Sequence, residues 1–365
     1  MNDLHAHNDI VTDELSSIVL DQADRLFREQ VTVERLAQAD AGTWQADLWD
    51  QIDRAGLPLA AVAEAHGGVG LPLDDVLHLV RRAAYYALPL PLAETMIAAA
   101  LWADVAAEAL AGCSSIAPAA ADDGIRIEQH GSGWIVSGRA RRVPWGTQAA
   151  RVLVPVHDQR GSAYLALLPT NAAQAERLRN LAHEPRDTLT WDNTAIGADA
   201  VRPIKNGDAE RVLLMGALFR AQQMVGAMER CLDYALSYAM ERKQFGRPIA
   251  KFQAVQHMLA EAAGHYAAAA AAADLARDAY GRDDFAFCVA IAKARVGEAA
   301  GKVAEVCHQV HGAMGFTQEH PLHFVTRRLW SWRDEFGNES DWQHRIGRLV
   351  CQAGGEALWP MLTGD

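Results

Sequence analysis

Apolar residues recur every three or four positions through most of this 365-residue chain and alternate only in one stretch near its middle. Residues 1–111 carry the helical period. Leu15, Ile18, Val19, Gln22 and Leu26 share a face, and Trp49, Ile52, Ala55 and Leu57 form a short stripe that stops around Gly56, as helices often do at a glycine. Gly67-Gly68-Val69-Gly70-Leu71-Pro72 reads as a loop. Asp74 is placed to cap a helix through Val76, Leu79, Val80 and Ala83. Pro89 and Pro91 break that run, and a helix resumes over 95–111.

The period changes after Gly112. Ile125-Arg126-Ile127-Glu128 alternates, and Gly131-Ser132-Gly133 before Trp134-Ile135-Val136 is a hairpin-type turn. Val152 to Val156, Tyr164 to Leu168 and Leu189-Thr190-Trp191 are short apolar runs bounded by turn residues, hence strands. From Asp208 the helical period returns, over 212–241, 252–282, 284–314 and 342–361, with mostly short connections. The run from Ala267 to Ala273 suits a close helix–helix contact. The expected fold is α+β and multidomain: an α-helical N-terminal domain over 1–111, a small β-barrel-like domain over 112–205, and a C-terminal four-helix bundle over 206–365.

Composition narrows the class. Half of the residues are hydrophobic and 22% are charged, which excludes disorder as the main state. Lys plus Arg is 34 against 46 Asp plus Glu, a net charge of −12. That argues against a nucleic-acid binder, which needs a basic stripe. Five scattered cysteines give neither a disulfide framework nor zinc spacing. His308, His311, His320 and His323 lack a carboxylate or thiolate at ligand spacing, so no metal is expected. The first fifteen residues have no basic-then-apolar order, and no stretch approaches the roughly 18–20 apolar residues of a membrane span. The expected location is the cytoplasm.

Three constellations carry candidate chemistry. Glu241 to Ile249 is a basic corner between two helices, in which Arg242, Lys243 and Arg247 suit an anion; basic charge at a helix C-terminus also serves the helix itself. Gln309-Val310-His311-Gly312-Ala313-Met314-Gly315 puts two glycines where a ligand can approach the backbone, or where a helix simply ends. Trp330 to Glu339 sets carboxylates among aromatic residues, as a general base with a raised pKa requires and as a solvated acidic loop also would.

In this order, Glu241 to Gly246 with Gln253, then Gln309 to Gly315, then Glu319-His320-Pro321-Leu322 resemble the C-terminal bundle of the acyl-CoA dehydrogenase family. Its pattern is a Tyr-Ala-x-x-Arg-x-x-Phe-Gly-x-Pro-Ile corner, a Gln-x-x-Gly-x-x-Gly loop and a Glu-x-Pro stretch. The segment from Trp49 to Leu71 resembles the family's N-terminal helix and Gly-Gly-x-Gly loop. The resemblance implies FAD as cofactor, an acyl-CoA thioester as substrate, an oligomer, and an electron-accepting protein as a further partner. A carboxylate removes the α-proton while the β-hydrogen leaves as hydride to the flavin.

Several family positions are altered. Counted from Glu319-x-Pro321, the base falls at Phe336, with Glu335 one residue out of register. The alternative base position falls at Gly216, and the CoA-contacting Arg position beside it at Ala217. A Thr-Glu-Pro flavin loop is not recognisable near Ser115 to Asp123. The Trp-Ile-Thr segment falls near Arg142-Val143-Pro144, and the Thr and Gln after the base fall at Asn338 and Ser340. What is kept is the set that in the family reaches a cofactor whose ring sits in the neighbouring subunit: Arg242, Gln244, Phe245, Gln253, Gln309 and Gly312. The resemblance therefore implies a subunit of a heteromeric dehydrogenase whose base lies on a paralogous chain. A self-sufficient enzyme using Glu335 as a shifted catalytic base, and a flavin-free scaffold, are the alternatives.

Overall fold

A computed structural model describes residues 2–117 and 124–363. The chain divides into two compact units, Met1–Gly216 and Ala217–Asp365.

The first unit opens with five helices: α1 (Asn2–Gln30), α2 (Val33–Asp40), α3 (Ala46–Arg54), α4 (Leu73–Tyr85) and α5 (Leu92–Ala106). Thr32 caps α2 by accepting the Arg35 amide. The expected Asp74 cap is corrected: Pro72 holds the N-cap of α4, and Asp74 and Asp75 lie in the first turn, where carboxylates complement the helix dipole. α5 is buried on nearly every side from Leu92 to Ala103, so its sequence has no polar stripe. It ends at Ala107, which adopts a left-handed φ of 57°, short of the expected residue 111.

A mixed sheet follows: β1 (Ser114–Ile116), β2 (Arg126–His130), β3 (Gly133–Pro144), β4 (Arg151–His157), β5 (Ala163–Pro169), β6 (Gln174–Glu176), β7 (Arg186–Ile196) and β8 (Val201–Pro203). Its order is β6-β7-β3-β2-β4-β5-β8, with β1 parallel to β4. The β2–β3 hairpin pairs His130 with Gly133, so Gly131 and Ser132 make the turn, and Gly131 takes the positive φ it requires. β2 and β4 share the pair Arg126–His157. Inward residues of both halves, Val136, Leu189 and Trp191 with Val152, Val154 and Leu168, nevertheless form one apolar core. The sheet thus curls around a common interior. The expected flavin-loop region lies partly outside the described residues, at 118–123.

The second unit is helical. α6 (Arg211–Glu241) supplies it from Ala217 onward, followed by a short pair, β9 (Lys243–Gln244) and β10 (Arg247–Pro248), then α7 (Gln253–Asp278) and α8 (Phe285–His311). The single last helix expected over 342–361 is corrected. α9 (Leu322–Asp334) and α10 (Glu339–Ala353) flank a turn, and Gly354 breaks α10 before α11 (Leu358–Thr363). Ala262, Ala269, Ala273 and Ala276 are the buried face of α7, while Ala267, Ala268 and Ala271 are exposed, so only half of the alanine run serves helix packing.

Candidate functional site

The turn between α9 and α10 holds the acidic cluster, and it is closely fixed. Asn338 and Asp341 form a reciprocal capping box at the start of α10. The Trp342 indole donates to the Phe336 carbonyl at 3.1 Å. Gly337 has a φ of +89°, and a Cβ there would lie 2.7 Å from Trp342 Nε1, so only glycine fits. Phe336 is itself left-handed, with a φ of 56°.

That backbone brings neighbouring side chains onto one partner. Glu335 is ion-paired to the Arg220 guanidinium of α6 at 2.7 Å, and the same guanidinium lies 5.6 Å over the Phe336 ring and 5.3 Å over Trp332. Arg220 also donates to Gln223 at 2.5 Å. The Arg220 side chain is 2% exposed and that of Glu335 is 16% exposed. The expectation of a solvated loop therefore holds for exposed Asp334 but not for Glu335, nor for Glu339, which pairs with Arg333. Gly216 and Ala217 are buried in α6 and bring no ionisable side chain to the second candidate position.

Behind the turn sits Lys293 of α8, fully buried. Its ammonium donates to the carbonyls of Arg333 and Gly337, each at 2.7 Å, and reaches Trp332 O at 3.4 Å. Burial, and then the Arg220 charge, pull its pKa down to about 7 against the pull of Glu335, Glu339 and Asp334.

The kept motifs meet elsewhere in the same unit. Tyr238 lies one turn before Arg242 and stacks on His311 at 4.7 Å, and His311 immediately precedes Gly312. The ends of α6 and α8 are thereby joined. Arg242, Gln244, Phe245, Gln253, Gln309 and Gly312 are all exposed, Phe245 by 93%. Phe245 has a φ of 51°, and Arg247 lies 4.4 Å over Phe252. Gly312 has a φ of +60° and open space where a Cβ would stand.

The histidines beside this loop form an aromatic ladder. His308 stacks on Phe316 and Trp330, and His311 packs edge-on to His320. Burial lowers the pKa of His308 and His311, and takes His320 to about 4. No group of three metal-capable side chains occurs among the described residues.

Sequence reasoning missed Arg220, Lys293 and Trp342. The available signal for Arg220 was a lone cation within the apolar run 212–228, a place a buried arginine occupies only with a partner, whereas Lys293 lies two residues from Arg295 and stands out less.

The family model for the acyl-CoA dehydrogenase C-terminal domain matches residues 208–333. The chain is 33% identical over 318 residues to acyl-CoA dehydrogenase FadE34 of Mycobacterium tuberculosis, covering 85% of this chain and 43% of that protein. It is 31% identical over 240 residues to glutaryl-CoA dehydrogenase of Desulfococcus multivorans, covering 59% of this chain and 60% of that one. The chain thus spans about half the length of these curated relatives. Its fold is similar to a chain of the ChsE4–ChsE5 complex from Mycobacterium tuberculosis, with a TM-score of 0.83 and 22% identity over 92% of this chain and 96% of that one. It is also similar to a Tcur3481–Tcur3483 steroid ACAD variant, with a TM-score of 0.83 and 25% identity over 94% and 99%. Acyl-CoA dehydrogenases are FAD-dependent flavoproteins. The motifs of the second unit, their joined geometry and these likenesses agree, and the chain belongs to the acyl-CoA dehydrogenase family.

Proposed function

We propose that this chain is a subunit of a heteromeric, FAD-dependent acyl-CoA dehydrogenase, and that the α-proton of the thioester is taken by a carboxylate on a paralogous partner chain. One observation carries the reading. The position where the family keeps its base is Phe336, buried against Arg220, and the neighbouring carboxylate Glu335 is held by that same guanidinium at 2.7 Å. A general base needs a lone pair free to meet the proton it abstracts. Glu335 would have to leave a buried cation first.

The second half of the reading is what the chain lends to its partner. Arg242, Gln244, Phe245, Gln253, Gln309 and Gly312 lie exposed on one unit. They fit FAD by their chemistry: the Arg242 guanidinium suits a pyrophosphate oxygen pair, the three glutamines offer amide donors and acceptors, Phe245 offers a flat ring, and open space above Gly312 admits close backbone approach. When bound, the flavin accepts the hydride. This chain's own groups bind and orient it from the outside. Likeness in fold to the ChsE4–ChsE5 complex and to the Tcur3481–Tcur3483 steroid ACAD supports assembly with a paralogue. An electron-accepting protein would then reoxidise the flavin, and cytoplasmic residence fits a chain in which no described helix is long and apolar enough to cross a membrane.

The test is expression with and without a paralogous acyl-CoA dehydrogenase chain, followed by flavin absorbance and its bleaching by acyl-CoA. Flavin retained only on co-expression, with bleaching changed no more than a few-fold by Glu335→Gln, is the expected result. Flavin on the chain alone, bleached by acyl-CoA and slowed about 10²–10⁴-fold by Glu335→Gln, the scale of a lost base, would establish the self-sufficient enzyme. No flavin in either preparation would leave the scaffold.

A further inference from the structure

One face of α8 is shaped for the α9–α10 turn. Lys293, Gly297 and Gly301 follow at four-residue spacing and so share that face. A Cβ at Gly297 would stand 3.0 Å from Glu339 Oε2, and one at Gly301 would stand 3.2 Å from an Arg333 guanidinium nitrogen. The two glycines make room for the Arg333–Glu339 ion pair. Lys293 meanwhile places three N–H donors against three backbone oxygens, those of Trp332, Arg333 and Gly337. The first two belong to the last turn of α9, the end of a helix that carries partial negative charge, and the Trp332 oxygen also accepts from the Glu335 amide. The third lies across the turn. One ammonium therefore ties the end of α9 to the start of the α10 cap.

We propose that Lys293 is a positioning residue: from inside α8 it fixes the α9–α10 turn in the form that delivers Glu335 and Phe336 together onto Arg220. The tie is read from geometry alone. Its consequence for chemistry rests on the proposed function above, in which Phe336 stands in the base's register. On that reading the missing base is a property of the backbone as well as of one side chain. A carboxylate installed at 336 would be carried onto Arg220, as Glu335 is.

The charged groups facing Lys293 are Arg220 from α6, Asp334 and Glu335 from the end of α9, and Glu339 from α10. Burial first and Arg220 second hold its pKa near 7. With the turn open and the amine in water the pKa returns to about 10.4. The closed turn binds the proton more weakly than the open one, so opening becomes easier as pH falls through this window, about tenfold per unit. Amide exchange from an opened segment is hydroxide-catalysed and slows about tenfold per unit over the same fall. In the turn the two dependences oppose and cancel.

Hydrogen exchange of residues 335–342, followed by mass spectrometry on the 365-residue chain, reads this directly. The wild-type turn is expected to exchange at a rate constant within about threefold from pH 7.5 to 9, and the same turn in Lys293→Met to accelerate about 30-fold. Packing alone cannot produce that difference, because methionine does not titrate. A wild-type turn that accelerates about 30-fold overturns the proposal, as does a Lys293→Met turn as flat as the wild type. If the variant does not fold, the wild-type profile decides by itself. No flavin or partner enters the measurement. A failed latch therefore shows as lost pH cancellation, and a failed subunit reading shows as flavin on the chain alone.

Discussion

Replacing Arg220 with methionine removes the cation on which the turn converges while keeping an unbranched apolar stem. The pair it breaks is a buried one: the two side chains are 2% and 16% exposed and approach to 2.7 Å. Removing one partner of such a pair costs about 3–5 kcal/mol, chiefly because a desolvated charge is left uncompensated. The small exposure of Glu335 lets water take up part of that charge, which places the expected loss near the lower bound, about 3 kcal/mol. The lost stacking over Trp332 and Phe336 keeps it from falling further. At 2–4 °C per kcal/mol for a domain of this class, the melting temperature should drop by about 6–12 °C. The second variant is Arg220→Met with Glu335→Leu, in which no charge is stranded. It should recover at least about 1.5 kcal/mol, a coupling of the size seen between contacting residues. Urea unfolding followed by tryptophan fluorescence measures both. A single variant within about 1 kcal/mol of wild type, or a double variant whose losses simply add, would refute the buried-pair account.

Arg242→Ala in the complete assembly should lose about 1.5–3 kcal/mol of flavin affinity, the worth of a hydrogen bond to a charged group, with the melting temperature of the flavin-free chain unchanged; equal flavin occupancy would remove Arg242 from the site. Gly337→Ala should cost more than about 2 kcal/mol, since it adds left-handed strain to a 2.7 Å clash with the Trp342 indole, and a thermal melt tests it. Lys293 has its folded pKa depressed to about 7, so above that pH the unfolded chain binds more protons than the folded one. Stability should accordingly rise with pH from about 7 towards 10, by up to about 1.4 kcal/mol per unit from this residue, and Lys293→Met should remove that part of the slope in urea melts. Assembly with a paralogue should bury roughly 2,000 Å² or more, as obligate contacts do, and a stable monomer by light scattering in the partner's presence would count against it.

Much of this architecture is legible in the residues, for reasons that differ by element. The β2–β3 hairpin announces itself because Gly131-Ser132 can do little but turn, and alternation on either side fixes which face is inward. α6, α7 and α8 are long enough that their periodicity outweighs local exceptions. α9 is not legible as a helix because Leu322 to Asp334 mixes histidines, arginines and tryptophans with its apolar positions, and its polar members Thr326 and Arg328 are buried. The end of α5 is not legible because alanine is compatible with a helix, and nothing in Ala107 foretells a left-handed residue. The site divides in the same way. Its exposed half, from Arg242 to Gly312, is contiguous in short motifs and therefore readable. Its buried half joins Arg220, Lys293 and Glu335 across more than a hundred residues, and only packing brings them together.

That buried half also weighs the two enzymatic readings against each other. For Glu335 to act as base it must give up Arg220, and leaving a guanidinium that is 2% exposed without its carboxylate costs about 3–5 kcal/mol. Each 1.4 kcal/mol added to the barrier is a factor of ten in rate, so the release alone slows proton abstraction by about 10²–10⁴. A positioned base contributes about 10²–10⁴ in the first place. The release penalty and the catalytic gain are therefore of one size, and a Glu335 recruited from this pair would return nothing over the unassisted reaction. Two changes could restore the gain: a ligand that supplies Arg220 with a replacement anion as Glu335 departs, or a turn that opens and rotates Glu335 away altogether. The second is the motion that Lys293, through the Arg333 and Gly337 carbonyls, opposes. The first makes a separate demand, because the replacement anion would have to reach a guanidinium already stacked on two rings. Neither demand falls on a subunit whose partner carries the base.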